Sequence, residues 1–267
     1  MARSRKDQIV RCACRILPGY IAMVALYLLY RFGLYPLFGK DWSYPLRRTM
    51  ELCAAYGVGL GILYLCARRL PVDLSGQEEG SRVRKDPRTR IKAWACLLVI
   101  QSGLSVPVLV LAEVVRTAIF HMDGTLSRPN VTFIFFYILY FLILRPVLEE
   151  FVYRAVLLRR LKEMGAFASS LYVAFLSAVM TYFMDGLPQA CAMILLSFLW
   201  SELYQKMAGR KNRLAVTIIL HSFSNLWTVL LPWFLKSSRP GLVVYAVVWI
   251  VIVPMIAIDR LIRLNRK

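Results

Sequence analysis

The sequence predicts an all-α fold: a polytopic transmembrane bundle of about eight helices with both termini cytoplasmic. Hydrophobic residues fill 59% of the 267 positions and charged residues only 18%, too apolar for a domain whose surface must face water. Windows of about 20 apolar residues, the length that crosses a hydrocarbon core, recur near 17–36, 49–67, 93–115, 131–156, 167–184, 188–205, 214–235 and 241–258. The basic residues, finally, are distributed with a bias between the two sides that such spans define.

Because lipid offers the backbone no hydrogen-bond partner, runs this long and continuously apolar are helices. The first follows a basic segment, "MARSRKDQIVRCACR", and lacks a small-residue cleavage pattern, which predicts a retained span. It forms a hairpin with the second, residues 1–67, in which Arg31 is expected to snorkel and Glu51 to lie near a span end. Residues 68–92, "RRLPVDLSGQEEGSRVRKDPRTRIK", are rich in charge, Gly, Ser and Pro and predict a flexible cytoplasmic linker. The remaining six spans, within 93–267, are joined by short turns, so consecutive helices pack antiparallel.

The formal charge is +19, from 34 Lys and Arg against 15 Asp and Glu. With spans alternating from a cytoplasmic N-terminus, 24 of the basic residues fall on the inner side and seven on the outer, as the positive-inside rule requires. A nucleic-acid partner would need one contiguous basic surface; these charges are parcelled among turns, and that class is excluded. The six cysteines form no C-x-x-C pair or metal spacing, consistent with small apolar residues kept reduced.

Polar residues inside spans carry the chemistry. "PVLEEFVYRAVLL" sets Glu149, Glu150 and Arg154 in an otherwise apolar run. Intramembrane carboxylates face an interior or a water-filled cavity and mark function; the competing reading, that the pair ends a span, is opposed by the basic cluster arriving only at Arg159, Arg160 and Lys162. On a helix Glu150 and Arg154 stand at i and i+4, while Glu149 points about 100° away. One acid is anchored, and the other is available as a general base or acid. In "LHSFSNLW", His221 and Asn225 again share a face at i and i+4, placed to donate to an oxyanion, to bind a metal, or to tie helices together. His121 is expected in a solvated turn, Glu113 and Glu202 in pairs with Arg116 and Lys206, and Asp185 at a helix-ending turn.

Together "EEFVYR" and "HSFSN", in this order within two apolar spans, resemble the E-E-x-x-x-R and H-x-x-x-N signatures of the CPBP family, the CAAX-prenyl-protease-2-like and bacteriocin-processing (Abi) intramembrane endopeptidases. The resemblance covers about 131–235. It implies an eight-helix bundle with Glu149 activating water, Glu150 and Arg154 as partners, and His221 and Asn225 stabilising the oxyanion of a peptide or protein substrate. It implies a multi-pass protein of a bacterial plasma membrane. The family's intervening F-x-x-x-H has no histidine here: "SAVMTYFMDG" offers Asp185 when anchored on Ser177, with Thr181 in the phenylalanine's place, or Tyr182 when counted from Glu149. An aspartate could hold a divalent metal, so the cofactor expectation is none or one such ion. A catalytically impaired scaffold that binds a partner membrane protein is the second expectation. A small transporter ranks third, since no inverted repeat supports it.

Overall fold

The computed structural model of the chain describes residues 5–39, 41–68, 70, 72, 87–119, 121, 131–208, 210–235 and 238–265. Among these there is no strand. In chain order the helices are α1 (Ile9–Phe38), α2 (Tyr44–Ala67), α3 (Trp94–Ala118), α4 (134–160), α5 (Ala166–Asp185), α6 (Leu187–Lys206), α7 (Arg213–Leu230) and α8 (Pro240–Arg260). Seven of them are long and apolar enough to cross a membrane. The expected fourth span differs: α4 is continuously helical but carries Arg145, Glu149, Glu150 and Arg154 along its inner face.

Most of the expected linker lies outside the described residues. Residues 87–92 correct that expectation, for the helix containing α3 begins at Pro87, where a missing backbone N–H costs nothing in the first turn. Gly165 and Gly186, at φ 81° and 94°, bracket α5, a left-handed backbone open to glycine without a Cβ penalty. The one-residue link at Gly186 folds α6 back along α5, and the two pack side by side.

Between helices in lipid, cohesion comes from close contact and hydrogen bonds, since lipid tails are as apolar as leucine. Small residues supply that contact between α1 and α2: a Cβ on Gly59 would stand 2.6 Å from Met23 Cγ, and one on Gly19 2.8 Å from Cys66 Cβ. The hairpin shares one apolar core with α4 and α5, built from residues such as Ile16, Met23, Leu63, Tyr153, Leu157 and Met180. α8 lies on α3, where Gly103 admits Ala257, and turns most of its apolar surface outward.

Two side chains, Arg31 and Glu202, depart from expectation. Arg31 does not snorkel; its Nη1 donates to the Tyr27 hydroxyl at 2.8 Å and to the Phe183 carbonyl at 2.5 Å, ties that a helix in lipid cannot obtain from its surroundings. Glu51 is buried and pairs with Arg48 at 2.6 Å. Glu202 is half-buried whereas Lys206 is exposed, and no ion pair joins them among the described residues. Glu113 does pair with Arg116, at 2.8 Å, and His121 is exposed at φ 50°.

Candidate active site

The segment "RPVLEEFVYR" places two ion pairs back to back on α4. Arg145 Nε donates to Glu149 Oε1 at 2.6 Å, one turn before it, and Arg154 Nη1 lies 3.2 Å from Glu150 Oε1, one turn after it. All four are at most 4% exposed. A lone buried charge in such surroundings costs several kcal/mol, so each acid has its own guanidinium, and their near 100° separation keeps the pairs apart. Arg154 also donates to the carbonyl and hydroxyl of Ser197 on α6, at 2.9 and 2.8 Å.

His221 of α7 sits across both acids. Its Nδ1 is 3.0 Å from Glu150 Oε1 and its Nε2 3.5 Å from Glu149 Oε2. A carboxylate accepts, so Nδ1 carries a hydrogen toward Glu150. Glu149 Oε2 and His221 Nε2 make no hydrogen bond with any described residue. The imidazole stacks on Trp200, ring centroids 4.5 Å apart. Trp200 in turn is fixed by its indole N–H to Gln101 Oε1 at 2.9 Å, and Gln101 Nε2 donates to the Leu220 carbonyl at 3.0 Å. α3, α6 and α7 thus jointly set the ring plane.

Asn225 lies one turn further along α7. Its Nδ2 donates to the Phe141 carbonyl at 2.9 Å, and Ser222 Oγ donates to the Leu142 carbonyl at 2.6 Å. Both carbonyls belong to a wide, π-type stretch of α4, Tyr140–Leu144. Such turns loosen the regular ladder and commonly occur at functional sites, and here side-chain donors from α7 bind their carbonyls. Asn225 therefore ties helices together with one of its two amide hydrogens.

Asp185 does not reach the acidic pair directly. Its Oδ2 lies 2.5 Å from Arg145 Nη2, so one guanidinium joins Asp185 to Glu149. Arg145 balances the Asp185 charge. Tyr182 is half exposed and rests its ring edge on Phe183, while Thr181 returns its hydroxyl to the Ser177 carbonyl at 2.9 Å. The α5 residue that meets the surroundings of Glu149 is Met184, whose Sδ is 3.9 Å from the Tyr56 hydroxyl. Met180 and Met184, both buried, stand at i and i+4 on one face of α5.

Tyr56, Arg145, Trp200 and Gln101 escaped the sequence reading. Arg145 had a signal, its place four residues before Glu149. Tyr56 had none, yet its hydroxyl donates to Glu149 Oε1 at 3.2 Å. At about 1.5 Å per residue, Tyr56, Glu149 and His221 lie about 18, 22 and 12 Å from the starts of α2, α4 and α7, near mid-height of the bundle.

Among the described residues no three His, Cys, Asp or Glu side chains are grouped to hold a metal ion. Glu149 and Glu150 each bind a guanidinium through one oxygen, and two guanidiniums beside the acids oppose a further cation. The donor set does not fit a divalent metal.

No curated protein and no solved structure matches the chain significantly. Residues 130–227 match the family model described as type II CAAX prenyl endopeptidase Rce1-like, a stretch that contains both ion pairs of α4, Met184, Trp200, His221 and Asn225. Over those residues this multi-pass membrane protein is similar to the CPBP/CAAX protease family.

Proposed function

We propose that the protein is an intramembrane endopeptidase of a bacterial plasma membrane, hydrolysing a peptide bond of a peptide or protein substrate that enters from the cytoplasmic side. One observation carries the reading: Glu149 Oε2 and His221 Nε2 face each other at 3.5 Å, fully buried, neither hydrogen-bonded to any described residue, while their opposite atoms are anchored. A water beside this pair accepts from Nε2–H, the ring carrying a hydrogen on each nitrogen between the two carboxylates, and donates to Oε2. As its oxygen attacks the carbonyl carbon, Glu149 takes the proton, and the peptide oxygen becomes an oxyanion facing Nε2–H and the second N–H of the Asn225 amide. Glu149 then returns the proton to the leaving nitrogen as the C–N bond breaks. Glu150 supports the imidazole through Nδ1, and Arg154 holds Glu150 in place. Asp185 acts through Arg145, which keeps Glu149 Oε1 occupied and Oε2 directed at the ring.

The test is cleavage of a peptide library by the purified full-length protein. Wild type yields product, and Glu149→Ala and His221→Ala lower kcat by at least about 100-fold. Equal product from all three ends the endopeptidase reading.

A second reading, a catalytically impaired scaffold that binds a partner membrane protein, is favoured by α5, which sets a thioether, Met184, beside Tyr56 and carries no histidine. Wild type that cleaves nothing in the same assay supports it.

A further inference from the structure

Residues 130–227 match the family, yet one donor to Glu149 comes from outside them. Tyr56 of α2 is 2% exposed and its hydroxyl lies 3.2 Å from Oε1. Arg145 gives that oxygen one further hydrogen bond, at 2.6 Å. A glutamate held by one donor still turns about its terminal carbon bond, because that torsion is broad and two-fold. A second donor on the same oxygen, arriving from another helix, fixes the carboxylate plane. The other oxygen, Oε2, is then the one that faces His221.

The phenol is itself held in place. Tyr153 and Tyr20, both buried, adjoin Tyr56, and the Tyr20 hydroxyl donates to the Leu176 carbonyl on α5. Met184 closes the other side. Gly59, three residues beyond Tyr56, allows α2 to meet Met23 of α1 at backbone distance.

We propose that Tyr56 is a positioning residue for Glu149, so that the N-terminal hairpin completes a site whose α5 element sets a thioether, Met184, beside the phenol. The proposal rests on the endopeptidase reading, and it gives α1 and α2 a function within it: they deliver one hydroxyl to the acid that activates water.

The experiment uses the full-length protein and has two readouts. The first is kcat and KM for a cleaved library peptide. Tyr56→Phe removes one oxygen and is expected to lower kcat about 10- to 100-fold, the size of effect that slight misplacement of a reacting group produces, with KM within twofold of wild type. Tyr27→Phe, which loses a hydroxyl bonded to the Phe183 carbonyl elsewhere on the hairpin, leaves both constants unchanged. Adding Met184→His to Tyr56→Phe brings an imidazole to the same place and regains at least about fivefold of the lost kcat, the worth of roughly one hydrogen bond. The second readout is the rate at which a membrane-permeant carbodiimide modifies Glu149, followed by peptide mass spectrometry with Glu149→Gln as the blank. Tyr56→Phe is expected to raise that rate about fivefold, since Oε1 loses a donor.

A kcat within twofold of wild type in Tyr56→Phe overturns the proposal, as does a change confined to KM. Should wild type cleave nothing, the endopeptidase reading falls and the carbodiimide rate decides alone: a faster rate in Tyr56→Phe upholds the positioning role, and an equal rate removes it.

Discussion

Arg145 Nη2 lies 2.5 Å from the Asp185 carboxylate, so the aspartate at the end of α5 meets the acids of α4 only through a guanidinium. The two partners of that pair are unequally buried, side chains 5% and 14% exposed. Arg145→Gln strands Glu149, and is expected to lower unfolding stability in detergent by about 3–5 kcal/mol. Asp185→Asn keeps a hydrogen-bond acceptor for Arg145 and is expected to cost about 1 kcal/mol. Equal losses in the two variants would contradict this division of roles.

The α5 register gives a second expectation. Met184→His places an imidazole beside Tyr56 and Glu149, whereas Asp185→His removes the partner of Arg145. In the peptide-cleavage assay the first is expected to keep or raise kcat and the second to lower it about tenfold. The reverse order would assign the catalytic register to Asp185.

Ser222 and Asn225 bind neighbouring carbonyls of one wide turn. Ser222→Ala and Asn225→Ala are each expected to cost about 0.6–2 kcal/mol, the range for hydrogen bonds between helices in membranes. Since they brace the same turn, a double-mutant cycle of unfolding free energies is expected to show coupling rather than additivity.

Close approach between α1 and α2 gives the fourth. Gly59→Val would force a Cβ to within 2.6 Å of Met23 Cγ, and overpacking of that kind costs about 1–3 kcal/mol. Gly57 and Gly61 have nothing within 4 Å of an added Cβ, so Gly57→Ala and Gly61→Ala leave thermal stability unchanged or slightly higher. Gly59→Val is also expected to lower kcat, because Tyr56 moves with the helix.

The membrane class, the helices and four of the site residues were legible because charge inside an apolar span is costly enough to stand out. Glu149, Glu150, Arg154 and His221 could be named from that cost alone. Arg145 stands in the same span, just before that string, but its two acidic partners lie on different helices; only the structure joins it to both Glu149 and Asp185. Tyr56 was illegible for a different reason. A phenol in an apolar span has no distinguishing pattern, and its meeting with an acid 93 positions away depends on how α2 leans on α1. On α5 the structure sets two candidates side by side, since Gly186 ends the helix just where Asp185 turns toward Arg145 and leaves Met184 facing inward.

The depth of the acids has a bearing on what can be cut. Glu149 lies about 22 Å along α4 from one end and about 16 Å from the other, so on the endopeptidase reading a scissile bond must pass deep between the helices to reach it. On that reading selection falls first on the readiness of a segment to enter the bundle and unwind there. Side-chain preference at the cleavage point acts only on the segments that have already passed that physical filter.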